Sequence, residues 1–373
     1  MKSSETFWRR FFLPLCFLLF VFSVPLQAQV NNPETLKGSD AETIHKRLIE
    51  LQSKGFSGSI LVEKEGEIIL KSGYGFANRD KRIPFKASTI STIGSITKPL
   101  TATAILKLEE EGKLRLTDPL SKYIPNLDTK LQSITLDQLL THRSGLGSIL
   151  TQNDFKNISR EDFINRLNKL NLKFEPGSKV AYSNIGFSVL AMVIEQVSGS
   201  SYEQFLQTHF FKPLSMKNTG YTAHDWLEDS VATGYRGSKE WGSVYQKVKN
   251  MEGNFWNLIG NGGMHMNLND MYKWYRAMKD KSIISEEIKS KLLSPHVKCG
   301  PKSVTCYQGY AWVVLHLNEG KDLVAVTHSG GNNIFYADFW WYPEEDIFLA
   351  MLTNNSKFPA EDISRDLISI LRK

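Results

Sequence analysis

Two hydrophobic periods alternate along the chain. Near the start, "SDAETIHKRLIELQSKG" (39–55) spaces its apolar residues as a helix does. Ser39 and Glu42 form a candidate capping box, and Gly55 a stop. The period falls to two across "FSGSILVEKEGEIILKSGYGFAN" (56–78). Ile60 and Val62, then Ile68 and Leu70, flank the polar turn "EKEGE", which predicts a hairpin. Helical spacing dominates the middle, over 96–111, 135–142, 160–170, 184–198, 201–211, 268–280 and 284–293. The end turns to strands again: "YAWVVLHL" (310–317), "DLVAVTHSG" (322–330), "IFYADFWWYP" (334–343) and "DIFLAMLTN" (346–354). "PEED" (343–346) reads as a tight turn. Ile363, Leu367, Ile368 and Leu371 mark a last helix over 359–372.

This order predicts an α+β fold: an antiparallel β-sheet flanked by helices, built from both chain ends, with an inserted helical lobe. A single domain over 29–373 is expected. Its α/β lobe takes 39–92 and 296–373, and its mostly helical lobe 93–295. The crevice between the lobes is the expected place for a site. Residues 212–262 are rich in Gly, Asn, Trp and Tyr with little periodicity, which suits a binding rim.

Composition alters this picture at the N-terminus. Lys2, Arg9 and Arg10 precede the apolar run "FFLPLCFLLFVFSV" (11–24), and Ala28 offers a small residue for cleavage. This is a secretory signal pattern over residues 1–28. The competing reading is an uncleaved anchor, but 14 apolar residues fall short of the roughly 20 that span a bilayer. A periplasmic or secreted product is expected. Losing Lys2, Arg9, Arg10 and Glu5 takes the formal charge from +6 to +4. No Lys/Arg block resembles a nucleic-acid surface. Cleavage would leave two cysteines, Cys299 and Cys306. In an oxidising compartment they are a candidate disulfide; two unpaired thiols is the alternative. No His or acidic cluster beside them favours a metal.

Three short stretches could carry chemistry. In "GSITKPLTATAI" (94–105), Ser95 and Lys98 share a helix face at i and i+3. A serine hydroxyl needs a base to attack a carbonyl, and an amine serves if its neutral form is favoured. A helix N-terminus favours a developing oxyanion. A helix cap with a solvated lysine explains the same letters. In "AYSNIGF" (181–187), Tyr182 and Asn184 stand two apart before an apolar helix. A phenol near an ammonium can act as a base, and an amide can hold a lysine and a carbonyl. A core tyrosine and a cap asparagine are the alternative. In "THSGGNNIF" (327–335), His328 ends a strand, and Gly330 and Gly331 let backbone approach a ligand closely. An ordinary strand-to-turn passage reads equally well. His142 and Arg143 read as structural turn residues, and His265 as an exposed rim residue.

Together, an S-x-x-K, a Y-x-N and an H-x-G in this order resemble the penicillin-recognising serine hydrolases. The closest likeness is to the class C β-lactamase-like family of β-lactamases, D-amino-acid peptidases and esterases. It extends through 74–125, "LDQLLTHRSGL" (136–146), "GNGGMHMNLNDMYKW" (260–274) and "YADFWWYPEEDIFLAMLTN" (336–354). The resemblance implies a β-lactamase/transpeptidase-like fold. It also implies an exported hydrolase that cleaves an amide or ester through an acyl-enzyme, without metal or cofactor. Ser95 would be the nucleophile, and Lys98 with Tyr182 the base. Asn184 would orient Lys98 and the substrate, and His328 would bind at the far wall. The backbone N–H groups of Ser95 and Gly331 would form the oxyanion hole. The expected partner is a small-molecule or peptide substrate with a reactive carbonyl, including cell-wall fragments. The alternatives are a β-lactamase or D-Ala-D-Ala carboxypeptidase proper, or a non-catalytic sensor of wall fragments. One departure stands out. The β-lactamase members usually carry K-T-G or K-S-G where this chain has His328-Ser329-Gly330. Histidine is a weaker partner than lysine for a β-lactam carboxylate.

Overall fold

The computed structural model describes residues 32–222, 225–280, 282, 284–299, 305–317 and 321–373. The expected signal segment, 1–28, lies outside the described residues.

Strands from both ends of the described chain make one nine-stranded sheet. Its spatial order is Thr35–Leu36, Glu67–Tyr74, Gly58–Lys64, Ile347–Thr353, Tyr336–Tyr342, Asp322–Gly331, Val313–Leu317, Cys306–Gln308 and Val297–Lys298. Every pairing is antiparallel. The N-terminal hairpin joins the C-terminal meander where Leu61 pairs with Ala350. The fold is therefore the α+β, β-lactamase/transpeptidase-like one.

The sheet is covered on both faces, so its central strands read as apolar runs. Alternation decides which side chain goes where. Ile60, Val62, Ile347, Leu349 and Met351 pack against the helices Gly38–Ser53 and Ala360–Leu371. Leu61, Phe348, Ala350 and Leu352 join the larger core beneath the helical part. Each buried Leu or Ile adds roughly 1.5–3 kcal/mol of transfer free energy.

Thr97–Glu110 is the central helix, and Thr97–Leu106 and Leu108 are all buried. Its composition explains the burial. Ala102 and Ala104 are small enough to be buried on different faces, and the helix packs against Asn184–Ser198. Two threonine hydroxyls are satisfied locally: Thr97 donates to Gly94 O at 2.8 Å and Thr103 to Pro99 O at 2.8 Å.

Two expectations change. The capping box at Ser39 and Glu42 does not form, because the first helix already starts at Gly38, behind Lys37, with no side-chain cap. His265 is not on the rim. It lies in the short strand His265–Met266, 1% exposed, between Trp226 and Tyr245. Pairing of Thr92 with His265 pulls it inward. Cys299 and Cys306 are joined as a disulfide, across the hairpin where Lys298 pairs with Tyr307.

Candidate active site

Ser95 sits in a short 3-10 turn, Gly94–Ile96, that opens the central helix. Its approach is fixed from both sides. The Ile93 N–H donates to Met264 O at 2.9 Å, and the end of strand Asp322–Gly331 packs on the turn. Glycine makes this approach possible. A Cβ on Gly330 would lie 2.0 Å from Ile93 O and 2.7 Å from Ser95 N; one on Gly94 would lie 2.5 Å from Gly331 N. The backbone amides of Ser95 and Gly331 thus belong to two chain segments in direct backbone contact.

One helical turn on, Lys98 is fully buried, and its Nζ lies 3.0 Å from Ser95 Oγ. The same ammonium nitrogen donates to Asn261 O at 2.6 Å. That carbonyl is held in place by its neighbours. Asn261 Nδ2 donates to Ser188 Oγ and to Asn257 O, both at 2.7 Å, and Thr101 Oγ1 donates to Gly260 O at 2.6 Å. Tyr182 and Phe187 place their rings 4.7 and 5.8 Å from Nζ. Ring quadrupoles favour a cation by about 0.5–2 kcal/mol. Complete burial costs the charge several kcal/mol. Burial wins, and it holds the Lys98 pKa well below that of a free lysine, with Asp154 pulling weakly the other way.

Tyr182 presents 43% of its surface to the cleft, yet dense packing around it pushes its hydroxyl up to about 12. The shift belongs to the hydroxyl, which desolvation raises and Ser95 opposes, whatever the exposure of the rest of the side chain. The His142 ring lies 4.5 Å from the Tyr182 ring, and the Ser183 N–H donates to His142 Nδ1 at 3.1 Å. That bond puts the proton of neutral His142 on Nε2. Burial, and then Lys98 and His328, lower His142 to about 3.

His328 lies opposite Phe339 in the sheet, 7% exposed. Its Nδ1–H donates to Ser329 O at 2.7 Å, leaving Nε2 as an acceptor. Desolvation, and then Lys98, lower it to about 3. It is a neutral group at physiological pH, not a cation.

Asn184 opens the helix Asn184–Ser198, and its N–H donates to Ser148 O at 3.0 Å. The cap of this helix is Ser183, which accepts from the Gly186 N–H. Asn184 makes no hydrogen bond to Lys98 in the structure; Asn261 O holds the lysine instead. Asn184 faces a neighbouring recess shared with Asp154 and Asn261.

Ser95, Lys98, Tyr182, His328, Gly330 and Gly331 thus come from distant parts of the chain into one cleft. His142 is the turn residue the sequence suggests, at φ +58°, but neither its contact with Tyr182 nor the role of the Asn261 carbonyl was legible there. Both lie in stretches that carried the family likeness, 136–146 and 260–274. A backbone carbonyl such as Asn261 O leaves no side-chain signature. Among the described residues, no group of three His, Cys, Asp or Glu side chains could hold a metal.

Known proteins share this arrangement of chain. A putative penicillin-binding protein PbpX of Bacillus subtilis is 36% identical over 66% of this chain and 60% of its own length. The Staphylococcus aureus protein flp is 30% identical over 80% of this chain and 60% of its own. The chain therefore spans about three fifths of these curated relatives. A solved octameric penicillin-binding protein homologue from Pyrococcus abyssi superposes with a TM-score of 0.76 at 27% identity, covering 89% of this chain and 77% of that one. A class C beta-lactamase mutant matches with a TM-score of 0.76 over 89% of this chain and 96% of its own, at 19% identity, a likeness of fold alone. The beta-lactamase family model matches residues 46–371, and the chain belongs to that family.

Proposed function

We propose that this protein is an exported serine hydrolase that opens an ester or amide through an acyl-enzyme on Ser95. One observation carries the reading: a fully buried Lys98 stands 3.0 Å from Ser95 Oγ with its neutral form favoured. A binding module has no need of a desolvated amine beside a serine.

In neutral form, Lys98 keeps its N–H bond to Asn261 O and turns its lone pair to Ser95. Ser95 Oγ attacks the carbonyl carbon, and its proton passes to Lys98 Nζ. The oxyanion is met by the Ser95 and Gly331 N–H groups. As the tetrahedral adduct collapses, the bond to the leaving group breaks. That group takes a proton from the Tyr182 hydroxyl, which is resupplied by Lys98. Water then adds to the acyl carbonyl, its proton returning through the same pair, and Ser95 leaves with a proton restored. Tyr182 enters protonated because its pKa is raised. His328, neutral, offers Nε2 as an acceptor at the far wall. That favours esters and peptides over a β-lactam held by its carboxylate. Asn184 orients the substrate side of the cleft.

Export rests on the pattern of residues 1–28 and on the Cys299–Cys306 disulfide, a bond that persists in oxidising compartments. No helix among the described residues is long and apolar enough to cross a membrane.

The test is covalent labelling with a fluorophosphonate probe, beside turnover of simple esters, a chromogenic cephalosporin and D-Ala dipeptides. Labelling and ester turnover that vanish in Ser95→Ala support the reading. Full labelling or turnover in Ser95→Ala overturns it.

A further inference from the structure

The carbonyl of Asn261 decides how Lys98 is held. It takes one N–H of the amine and leaves the rest of Nζ for Ser95. A loop carbonyl drifts unless something fixes it. Here every backbone polar group of residues 260–262 has a partner. The Gly260 N–H donates to the Tyr221 hydroxyl at 3.0 Å, and Gly260 O accepts from Thr101 Oγ1 at 2.6 Å. The N–H groups of Asn261 and Gly262 both donate to Leu258 O, at 3.3 and 3.0 Å. Gly262 O accepts from the Tyr221 hydroxyl at 2.9 Å, a proton shared with Leu258 O at 3.2 Å. That leaves Asn261 O for Lys98.

Tyr221 therefore straddles Asn261. Its hydroxyl accepts on one side of that residue and donates on the other. The phenol is buried, which holds its pKa well above the usual value, so it keeps its proton. Two anchors hold it from behind. The Glu203 carboxylate accepts the Tyr221 N–H at 2.5 Å, and the ring lies 6.3 and 5.4 Å from those of Tyr202 and Phe255. Tyr202 supports the other clamp. Thr101 gives its proton to Gly260 O in preference to Thr97 O, which is 3.3 Å away, so the Tyr202 hydroxyl donates to Thr101 Oγ1 at 2.6 Å. A phenylalanine would supply the same ring packing. The hydroxyl of Tyr221 is accounted for by the loop it ties.

We propose that Tyr221, together with Thr101, is a positioning residue for the base: its hydroxyl holds Asn261 O against Lys98 and so sets both the aim and the proton affinity of the amine. The proposal rests on the acyl-enzyme reading. Tyr221 touches neither the substrate nor the reacting atoms. It acts through one acceptor. A carbonyl held against Nζ favours the ammonium over the amine, because a hydrogen bond from a charged donor is the stronger one. It therefore opposes part of the fall in pKa that burial imposes on Lys98. A carbonyl that drifts lets the pKa fall further and leaves the lone pair poorly aimed at Ser95 Oγ.

The experiment measures the rate constant for labelling of Ser95 by the fluorophosphonate probe between about pH 4 and 9, in wild type and Tyr221→Phe. The acid limb is expected to move to lower pH by about one unit, and the plateau to fall roughly 10–100-fold. His142 and His328 face Lys98 but are neutral above about 3, and Tyr182 keeps its proton up to about 12. Asp154 acts on Lys98 through its charge and is untouched by the substitution. The displacement between the two profiles therefore reports Lys98. A phenol with a merely structural role would change the melting temperature or the amount of protein labelled and leave the limb in place. An unmoved limb overturns the proposal, and so does one displaced toward alkali. Thr101→Val, which loses the hydroxyl, is expected to move the limb in the same direction by less, and Thr101→Ser to restore it. Should Tyr221→Phe fail to fold, this pair decides: identical limbs in Thr101→Val and Thr101→Ser overturn the proposal. Ser95→Ala separates the two layers. Labelling that survives it sinks the acyl-enzyme reading. Labelling that needs Ser95 but keeps its acid limb in Tyr221→Phe leaves that reading standing and removes only this one.

Discussion

Two lysines in this molecule have opposite fates. Lys98, in the cleft, meets a hydroxyl, a carbonyl and two ring faces, and its charge is disfavoured. Lys279 lies where the helix Leu268–Asp280 crosses the sheet. Desolvation works against its charge too, but the hydrogen bonds it donates to Asp346 and Glu63 outweigh that and raise its pKa. Its partner Glu63 is fully buried and still ionised. Burial opposes the charge; Tyr272, Lys279 and Tyr275 donate to the carboxylate and prevail. The same side chain becomes a base in one place and a structural cation in the other. Burial depth alone does not separate them. What differs is whether a carboxylate lies within hydrogen-bond reach.

The largest test of this contrast is Lys98→Arg. Arginine keeps the charge and cannot give up its proton. Acylation of Ser95 is expected to slow by about 10²–10⁴-fold, the usual scale of a lost general base, read as the labelling rate of the fluorophosphonate probe. The wild-type pH profile carries the sign. A base with a lowered pKa is neutral above that value. Acylation should therefore rise from acid and lie flat through neutrality, while Tyr182, near 12, stays protonated. A rate that keeps climbing tenfold per pH unit toward about 10 would mean an ordinary lysine, and would break the contrast.

Glu63→Gln probes the other lysine. It leaves Lys279 and Arg276 short of a counter-ion. The expected cost is about 2–3 kcal/mol of unfolding free energy, toward the low end for a buried pair because both cations reach solvent. Denaturant unfolding measures it. The kcat/KM should stay within twofold, since the cluster lies away from the cleft. A large loss of turnover with unchanged stability would refute this division of labour.

Asp338 sharpens the comparison with the smallest effect. Its carboxyl is 1% exposed, accepts from Trp340 Nε1 at 2.8 Å and has no cation beside it. Desolvation raises it to about 7. A raised folded pKa means stability that is fully present below the unfolded value of 3.8 and is lost as pH climbs through about 7. Asp338→Asn should flatten that decline. The unpartnered donor of the new amide costs about 1–3 kcal/mol at every pH and so drops out of the pH dependence. Thermal melts across this range read it. An identical pH dependence in both proteins would show that Asp338 is ionised despite its burial.

Local pattern carried much of the molecule. The run "DIFLAMLTN" is a strand, Ile347–Thr353, because six apolar residues in a row suit a sheet covered on both faces. The helix over 184–198 appeared with its C-terminal stop, Gly199, at φ +71°. Legibility failed where a contact from far away intervened. Ser39 and Glu42 had the spelling of a capping box, but the helix starts at Gly38, two residues before that box would begin it. His265 looked like a polar rim residue, but the pairing of its strand with Ser91–Thr92 draws it beneath Trp226. His142 is the turn residue it looked like, at φ +58°, but its partners Tyr182 and Ser183, some 40 positions on, left no mark beside it.

Ser95 and Lys98 at i and i+3 were already neighbours in the linear chain, since helical geometry brings such a pair together in any context. The order of the three short motifs was likewise written in the letters, and so was the β–α–β division of the chain. Protonation was not. Whether Lys98 is a cation or a base depends on water being excluded by Tyr182, Phe187 and the 257–263 segment, and on which carbonyl meets its Nζ. The acceptors of the neighbouring recess have the same origin. Asn184, Asn257 and Asp154 are ordinary polar residues in sequence; packing the loops against one another turned two of their oxygens inward without donors. Desolvation depends on everything that surrounds a group, and a linear pattern holds only its nearest neighbours.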